Sequence, residues 1–311
     1  MIDVHRLRVL REVARHGSFN KAAGALRCTP SAVSQQIAAL ERTLGADVVS
    51  RSTRGVHLTE SGRLLVESAE AIAAELQHVQ RQIADLSTGT TRLTIATFTS
   101  GGRRLLPEAL RGLCAAHPEL EVAILEHEPE DSLPLVRSGG ADLALAYHFD
   151  GPPPVRPGDR SGLEWTPLAD DPLWLVLPDG HRMAGAAEVH LADLAEERWV
   201  LGCLSTAGLL RDLAALAGFA PRISCSATDY FFAASLVGAG VGISLLPQLA
   251  LDQVPTGLAV VPLAHPRPSR HVGIAVSTRR GAAVRPYLDL LAVALRSAAD
   301  ALSAGRPGAG H

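Results

Sequence analysis

The segment from Ser18 to Leu44, SFNKAAGALRCTPSAVSQQIAALERTL, constrains this chain more than any other, because it predicts two short helices meeting at a tight turn. Phe19, Ala22, Ala23 and Leu26 fall at i, i+3, i+4 and i+7, on one side of a first helix, with Ser18 as its N-cap. Arg27 and Cys28 make the turn. Thr29 is placed to cap the second helix, and Pro30 suits its first position, where no backbone N–H is needed. Val33, Ile37 and Leu40 then point inward, while Ser31, Ser34, Gln35 and Ala38 fall on the opposite side. Small polar groups and an amide, with no negative charge before Glu41, suit a face that approaches base edges in a major groove. The same residues also fit an ordinary helical hairpin whose outer face is solvated. The candidate contacts on this unit are Ser18, Lys21, Thr29, Pro30, Ser31, Ser34 and Gln35.

Charge separates these two readings. The 311-residue chain has a net charge of −3, yet residues 1–60 carry +4 and the remainder −7. A basic head on an acidic body is the asymmetry expected when only the head meets phosphate. A helix over 3–16, with Leu7, Leu10 and Ala14 on its buried side and Gly17 at its end, precedes the two-helix unit. Asp47 to Leu58 reads as a small hairpin turning at Thr53-Arg54-Gly55. After two such helices it is a wing, and Arg51, Arg54 and His57 are candidates for phosphate or minor-groove contact, or incidental arginines on a solvated hairpin.

Thr59 is expected to cap a long helix running to about Leu86. Along it Leu65, Ala69, Ile72, Leu76, Val79, Ile83 and Leu86 recur at alternating spacings of 4 and 3. That narrow heptad stripe predicts a coiled-coil seam; a helix laid on its own body wants a wider one. Two heads fixed on a two-fold axis would read the halves of a pseudo-palindromic site in double-stranded DNA.

Beyond Ser87–Thr91, read as a hinge, the pattern changes to alternating strands and helices: LTIAT (93–97), a helix over 103–116, EVAIL (121–125), a helix near 130–138 and DLALAY (142–147). This order implies a parallel sheet with helices on its faces, an α/β fold. Gly151–Gly162 is a loop. A second unit follows with LWLVLP (173–178), WVLG (199–202), helices over 206–217 and 229–237, RISCSA (222–227) and GISLLP (242–247). HVGIAVS (271–277) and a helix over 283–302 return to the first. The expected domains are a DNA-binding head (1–58), a dimerising helix (59–86), a hinge (87–91) and a body (92–303). Within the body, one lobe spans about 92–162 and 268–303 and the other about 163–267; 304–311 is expected to be a disordered tail.

Over about sixty residues the sequence resembles the N-terminal domain of LysR-type transcriptional regulators. The matching positions are Gly17-Ser18-Phe19, Ala22-Ala23, Leu26, Ser34, Gln36-Ile37, Leu40-Glu41, Leu44-Gly45, Arg51 and Leu58-Thr59-Glu60-Ser61-Gly62. Pro30 stands where that family often has Gln and Gln35 where it often has Arg, and VVSR replaces Leu-Phe-x-Arg. The body is similar to the family's two-lobed, periplasmic-binding-protein-like effector domain through Leu106-Pro107, His117-Pro118, Asp142-Leu143-Ala144, Leu168, Ala192-Asp193-Leu194 and Val237-Gly238 through Leu246-Pro247. The resemblance implies an all-α winged helix-turn-helix head, an effector bound between lobes, and dimers or tetramers that bend DNA.

Thr97, Phe98, Thr99, Ser100 and Gly101 follow a strand and open a helix, an arrangement of amides and hydroxyls suited to a small anion such as a carboxylate. Ser205 and Thr206 repeat it, and Tyr147, Cys203, Asp229 and Tyr230 map near strand ends facing the same cleft, as do Phe149, Phe231 and Phe232. Gly238–Gly242 follows a helix and precedes a strand, the reverse of a dinucleotide fingerprint. Glu126-His127-Glu128 alternates on a strand and is a poor metal group. The four cysteines (Cys28, Cys114, Cys203, Cys225) lack CxxC spacing and fit a reducing compartment. No signal peptide or span of membrane length is expected, so a cytoplasmic protein follows, with no metal, cofactor or enzymatic role. Two alternatives stay open: an oxidant sensor acting through Cys203, and a solute-binding protein or enzyme indifferent to DNA.

Overall fold

The computed structural model describes residues 2–52, 55–88, 90–155, 162–251, 256–265, 267–278 and 283–304. The head opens with α1 (Val4–His16), capped by Asp3, whose carboxylate accepts the His5 N–H at 2.9 Å, and closed by Gly17 at φ 59°. α2 (Phe19–Leu26) starts after Ser18, which holds the N-cap position without a side-chain cap bond. Arg27 turns the chain at φ 54°, the one non-glycine residue with positive φ among those described. α3 (Pro30–Leu44) begins where Thr29 Oγ1 accepts the Ala32 N–H at 3.2 Å. Leu10, Ala22, Ala23, Val33, Ile37 and Leu40 close a shared core. Each large aliphatic side chain buried there contributes about 1.5–3 kcal/mol. On α1 the inward residue near the end is Val13, and Ala14, expected in that role, is half-buried.

β1 (Val49–Ser52) and β2 (Gly55–Leu58) pair antiparallel as the wing, so the head is not purely helical. Thr59 Oγ1 donates to Asp47 O (2.7 Å) and accepts from Gly62 N (3.0 Å), tying the wing to α4 (Glu60–Thr88). Here Gly62 is required by close approach: a Cβ on it would stand 1.9 Å from the Val48 carbonyl oxygen. α4 continues through Ser87 and Thr88, so the expected five-residue hinge is reduced to the two residues before β3 (Thr91–Thr97). Apart from Gly62 in its first turn, the segment 60–88 holds neither glycine nor proline.

In the first lobe β3 pairs in parallel with both β4 (Leu120–Glu126) and β5 (Leu143–Phe149). The helix expected over 103–116 is two helices, α5 (Thr99–Arg104) and α6 (Leu106–Ala116). Pro107 has no N–H to return to residue 103, so one helix cannot run through. α7 (Pro129–Arg137) follows β4 as expected. The largest departure is β6 (Leu163–Pro178), a sixteen-residue strand of which only 173–178 was legible. Its first part pairs with β11 (Ser269–Ser277), which also pairs with β5; its second part pairs with β9 (Ser244–Pro247) and β10 (Leu258–Pro262). The lobes therefore meet within β6 near Pro172, not at residue 163. Pro167 and Pro172 hid the first part, since proline weakens any strand pattern.

The second lobe adds β7 (Arg198–Leu201), parallel to β8 (Arg222–Ser226), with α8 (Leu204–Leu216) and α9 (Tyr230–Gly238). β10 had no sequence expectation. α10 (Arg285–Ala304) returns to the first lobe, where Leu288, Leu291 and Leu295 join its core. Residues 305–311, where a tail was expected, lie outside the described residues. Among the described residues no helix is long and apolar enough to cross a membrane.

The Gly62 contact generates a test. Gly62→Ala should lower the stability of the head by about 1–3 kcal/mol, the usual cost of forcing extra volume into a closed contact. Urea unfolding followed by amide exchange should show earlier opening of residues 4–66 with the body unchanged.

Candidate nucleic-acid interface and interlobe site

α3 carries its sides as the sequence predicts. Val33, Ile37 and Leu40 are buried, while Ser31, Gln35 and Ala38 are exposed and Ser34 is half-buried beside them. Thr29 and Pro30 are exposed at the start of the helix, with Thr29 Oγ1 and Ser31 Oγ 2.9 Å apart. Lys21 is exposed on α2, and Ser18 is half-buried at the foot of that helix. His57 is exposed on β2. Arg51 belongs to β1 but its side chain lies outside the described residues, as does the whole of Arg54.

Along α4 the seam divides. Leu65 packs against the head core and Ala69 is buried within one chain, so these two heptad positions are satisfied without a partner copy. Ile72, Leu76, Val79 and Ile83 are between 38% and 58% exposed, an apolar stripe presented to water. The side chain of Leu86 is outside the described residues.

Between the lobes the structure assembles a site whose central residue the sequence did not single out. Arg270, on β11, is fully buried. It donates through Nε (3.0 Å) and Nη2 to Oδ2 of Asp171, on β6, and through Nη2 to Ser100 Oγ (3.0 Å). Its guanidinium carbon lies 4.4 Å from the ring centroid of Tyr147, 5.0 Å from Phe98 and 5.4 Å from Tyr230. Rings from both lobes thus surround one cation, a favourable arrangement when it is desolvated. An Arg two residues into a strand carries no sequence signal for this; only the pairing of β6 with β11 brings it to Asp171.

Tyr147 donates its OH to Glu128 Oε2 (2.7 Å) and lies 3.5 Å from Cys203 Sγ. Thr206 Oγ1 and the Tyr230 OH are 3.1 Å apart. Ser205 Oγ donates to Glu130 Oε1 (3.0 Å), and the Arg103 guanidinium lies 3.9 Å from the Phe231 ring, two contacts that span the cleft. The expected anion nest at 97–101 is instead engaged within the protein. Thr97 Oγ1 donates to Phe98 O and Thr99 Oγ1 to Glu126, Ser100 serves Arg270, and Gly101 lies on the Phe98 ring. Asp229 accepts the Phe231 N–H as the α9 cap. Phe149 stacks edge-on to Tyr147, whereas Phe232 is half exposed on the outer side of α9, away from its expected place. No cationic residue flanks Cys203 in sequence, but Arg270 reaches the same cluster from β11.

Burial raises the Glu128 carboxyl above its ordinary range, against the Tyr147 hydrogen bond and the Arg270 charge. Burial likewise raises both tyrosines, so they stay protonated donors. For Arg270, burial disfavours the charge but Asp171 outweighs it, and the guanidinium is held charged.

The model of the bacterial regulatory helix-turn-helix protein, lysR family, matches residues 4–63, and that of the LysR substrate binding domain matches residues 87–296. The DNA-binding transcriptional dual regulator OxyR of Escherichia coli K12 is 30% identical over 308 residues, 96% of either chain. Among solved structures, HinK, a LysR family transcriptional regulator from Pseudomonas aeruginosa, superposes with a TM-score of 0.54 at 23% identity, covering 96% of this chain and 99% of that one. Full-length CbnR complexed with its target DNA gives 0.51 at 22% identity, covering 96% and 100%.

Two outcomes follow from the interlobe geometry. Arg270→Met should cost about 3–5 kcal/mol, because it leaves the Asp171 charge buried alone, and the double variant Arg270→Met/Asp171→Leu should recover most of it; denaturant titration reads both. For Glu128 the raised pKa means that the protonated form contributes stability below pH about 4.5, which is lost as pH rises through the raised value. Glu128→Gln should therefore melt with wild type near pH 4 and above it at pH 8.

Proposed function

Because the chain belongs to the LysR family of bacterial helix-turn-helix regulators, we propose that it works as a dimer whose paired α3 helices read the two halves of a pseudo-palindromic promoter site, under control of an effector held between the lobes. The observation that carries the DNA reading is the face of α3, where Ser31, Gln35 and Ala38 stand exposed and uncharged above a buried Val33, Ile37 and Leu40. Gln35 can bridge an adenine through N6 and N7, and the short neighbours let the backbone approach. The similar CbnR, solved with its target DNA, supports this use of the fold. The exposed stripe at Ile72, Leu76, Val79 and Ile83 supports the dimer, and further pairing through the bodies would give tetramers.

The effector is assigned to the interlobe cluster of Phe98, Ser100, Tyr147, Cys203, Ser205, Thr206 and Tyr230, joined by Arg270, while Thr97, Thr99, Gly101 and Asp229 are engaged within the protein and are left out. Arg270 Nη1 is buried and makes no hydrogen bond among the described residues, which favours a small carboxylate as effector. Such a ligand controls the molecule only by binding one arrangement of the lobes better than another, and the Ser205–Glu130 and Arg103–Phe231 contacts are what it would exchange. We assign no catalytic activity and no cofactor, and place its action in the cytoplasm, beside DNA.

A second reading makes Cys203 the sensor. Relatives described as hydrogen peroxide-inducible genes activators, and the Tyr147 OH at 3.5 Å from Cys203 Sγ beside the Arg270 cation, favour it.

In mobility-shift assays on the protein's own upstream region, Gln35→Ala should weaken the specific complex by about 1–3 kcal/mol while leaving non-specific binding intact. Leu76→Glu/Ile83→Glu should sediment as a monomer and lose the specific complex. An unaltered shift in both variants would remove the proposal. For the thiol reading, Cys203→Ser should abolish a peroxide-dependent change in that shift; an unchanged response would discard it.

A further inference from the structure

A cavity of about 650 Å³ lies where the two lobes join, and none of the rings around Arg270 lines it. The first lobe walls it with Leu105 and Leu302, the second with Leu249 and Val260. Its volume falls in the range of small-molecule sites, roughly 300–1,000 Å³, and its walls are mostly apolar. Four charged side chains of β6, α5 and the segment before β11 border it: Asp170, Asp171, Arg104 and Arg267. Both carboxylates are engaged elsewhere, Asp171 by Arg270 and Asp170 by His271 Nδ1 at 2.7 Å. Arg267 donates through Nε to Leu263 O (3.2 Å) and lies 5.3 Å from the Trp174 ring, with no carboxylate partner among the described residues. The border therefore offers a cation at Arg267.

We propose that this cavity is a second ligand site, separate from the interlobe cluster, which takes a small amphipathic carboxylate. Its apolar body lies against Leu105, Leu249 and Leu302, and its head meets Arg267. Since the walls come from both lobes, an occupant favours the juxtaposition of lobes seen here. Asp171 stands between the two sites: its Oδ1 accepts the Leu249 N–H (2.9 Å) in the cavity wall, and its Oδ2 holds Arg270. The inference does not depend on what the interlobe cluster binds, nor on DNA.

The test is calorimetric titration of the full-length protein with sodium octanoate, and with octanamide as its uncharged counterpart. Octanoate should bind at a site removed by the cavity variants, with Kd below about 1 mM, and octanamide at least about tenfold more weakly there. Val260→Trp should fill the cavity and Arg267→Gln should remove its cation; each is expected to weaken octanoate by about tenfold or more. Val260 is partly exposed on the edge strand β10, so the bulkier side chain is accommodated without unfolding, and Arg267→Gln gives an independent reading. Tyr230→Phe, in the interlobe cluster, should leave octanoate binding unchanged. Absence of octanoate binding, binding indifferent to both cavity variants, or binding lost in Tyr230→Phe would overturn the site, and equal affinity for octanamide would overturn the carboxylate assignment.

Discussion

A long helix cannot keep an apolar stripe in water at no cost, and that constraint organises this molecule. Ile72, Leu76, Val79 and Ile83 on α4 face solvent in a single chain, and burying each against a second copy contributes about 1.5–3 kcal/mol. Entry of α4 into the head is already fixed within one chain by Leu65, Ala69 and the Thr59–Gly62 capping contact. In the proposed dimer, pairing of the distal stripe sets where the two heads stand. With a net charge of +4 over residues 1–60, one head meets few phosphates; two heads on one duplex double that number, and affinity rises steeply with it.

The body answers a different constraint, a cation removed from water between two lobes. Arg270 is stable there because Asp171 neutralises it and the faces of Phe98, Tyr147 and Tyr230 surround it. Both members of the ion pair sit on the crossing strands β6 and β11, while the rings come from either side. The lobes are thus held by groups whose partners can be exchanged for those of a ligand, a condition for control by binding. The α-helix runs unbroken from the head to residue 88, two residues before β3 begins.

How much of this was readable beforehand depends on whether the signal was local. The head was legible almost residue by residue, because Gly17, Thr29, Pro30 and Gly45 punctuate its helices and the apolar spacing is regular between them. The heptad spacing was legible too, though not that Leu65, its first position, joins the head's own core. The cleft residues Phe98, Ser100, Tyr147, Cys203, Thr206 and Tyr230 do converge, since each follows or precedes a strand end that the alternating pattern revealed. Arg270 and Asp171 were not legible. Their meeting depends on a strand interrupted by Pro167 and Pro172 and on pairing between residues about a hundred positions apart, and periodicity carries no information at that range.

The central claim, that two reading helices act together on one duplex, is tested most directly by hydroxyl-radical footprinting of the wild-type protein on its upstream DNA. Two protected half-sites, symmetric about a dyad and separated by about one helical turn or a multiple of it, are the predicted result. A single unsymmetrical patch of protection, saturating at one chain per duplex, would contradict it.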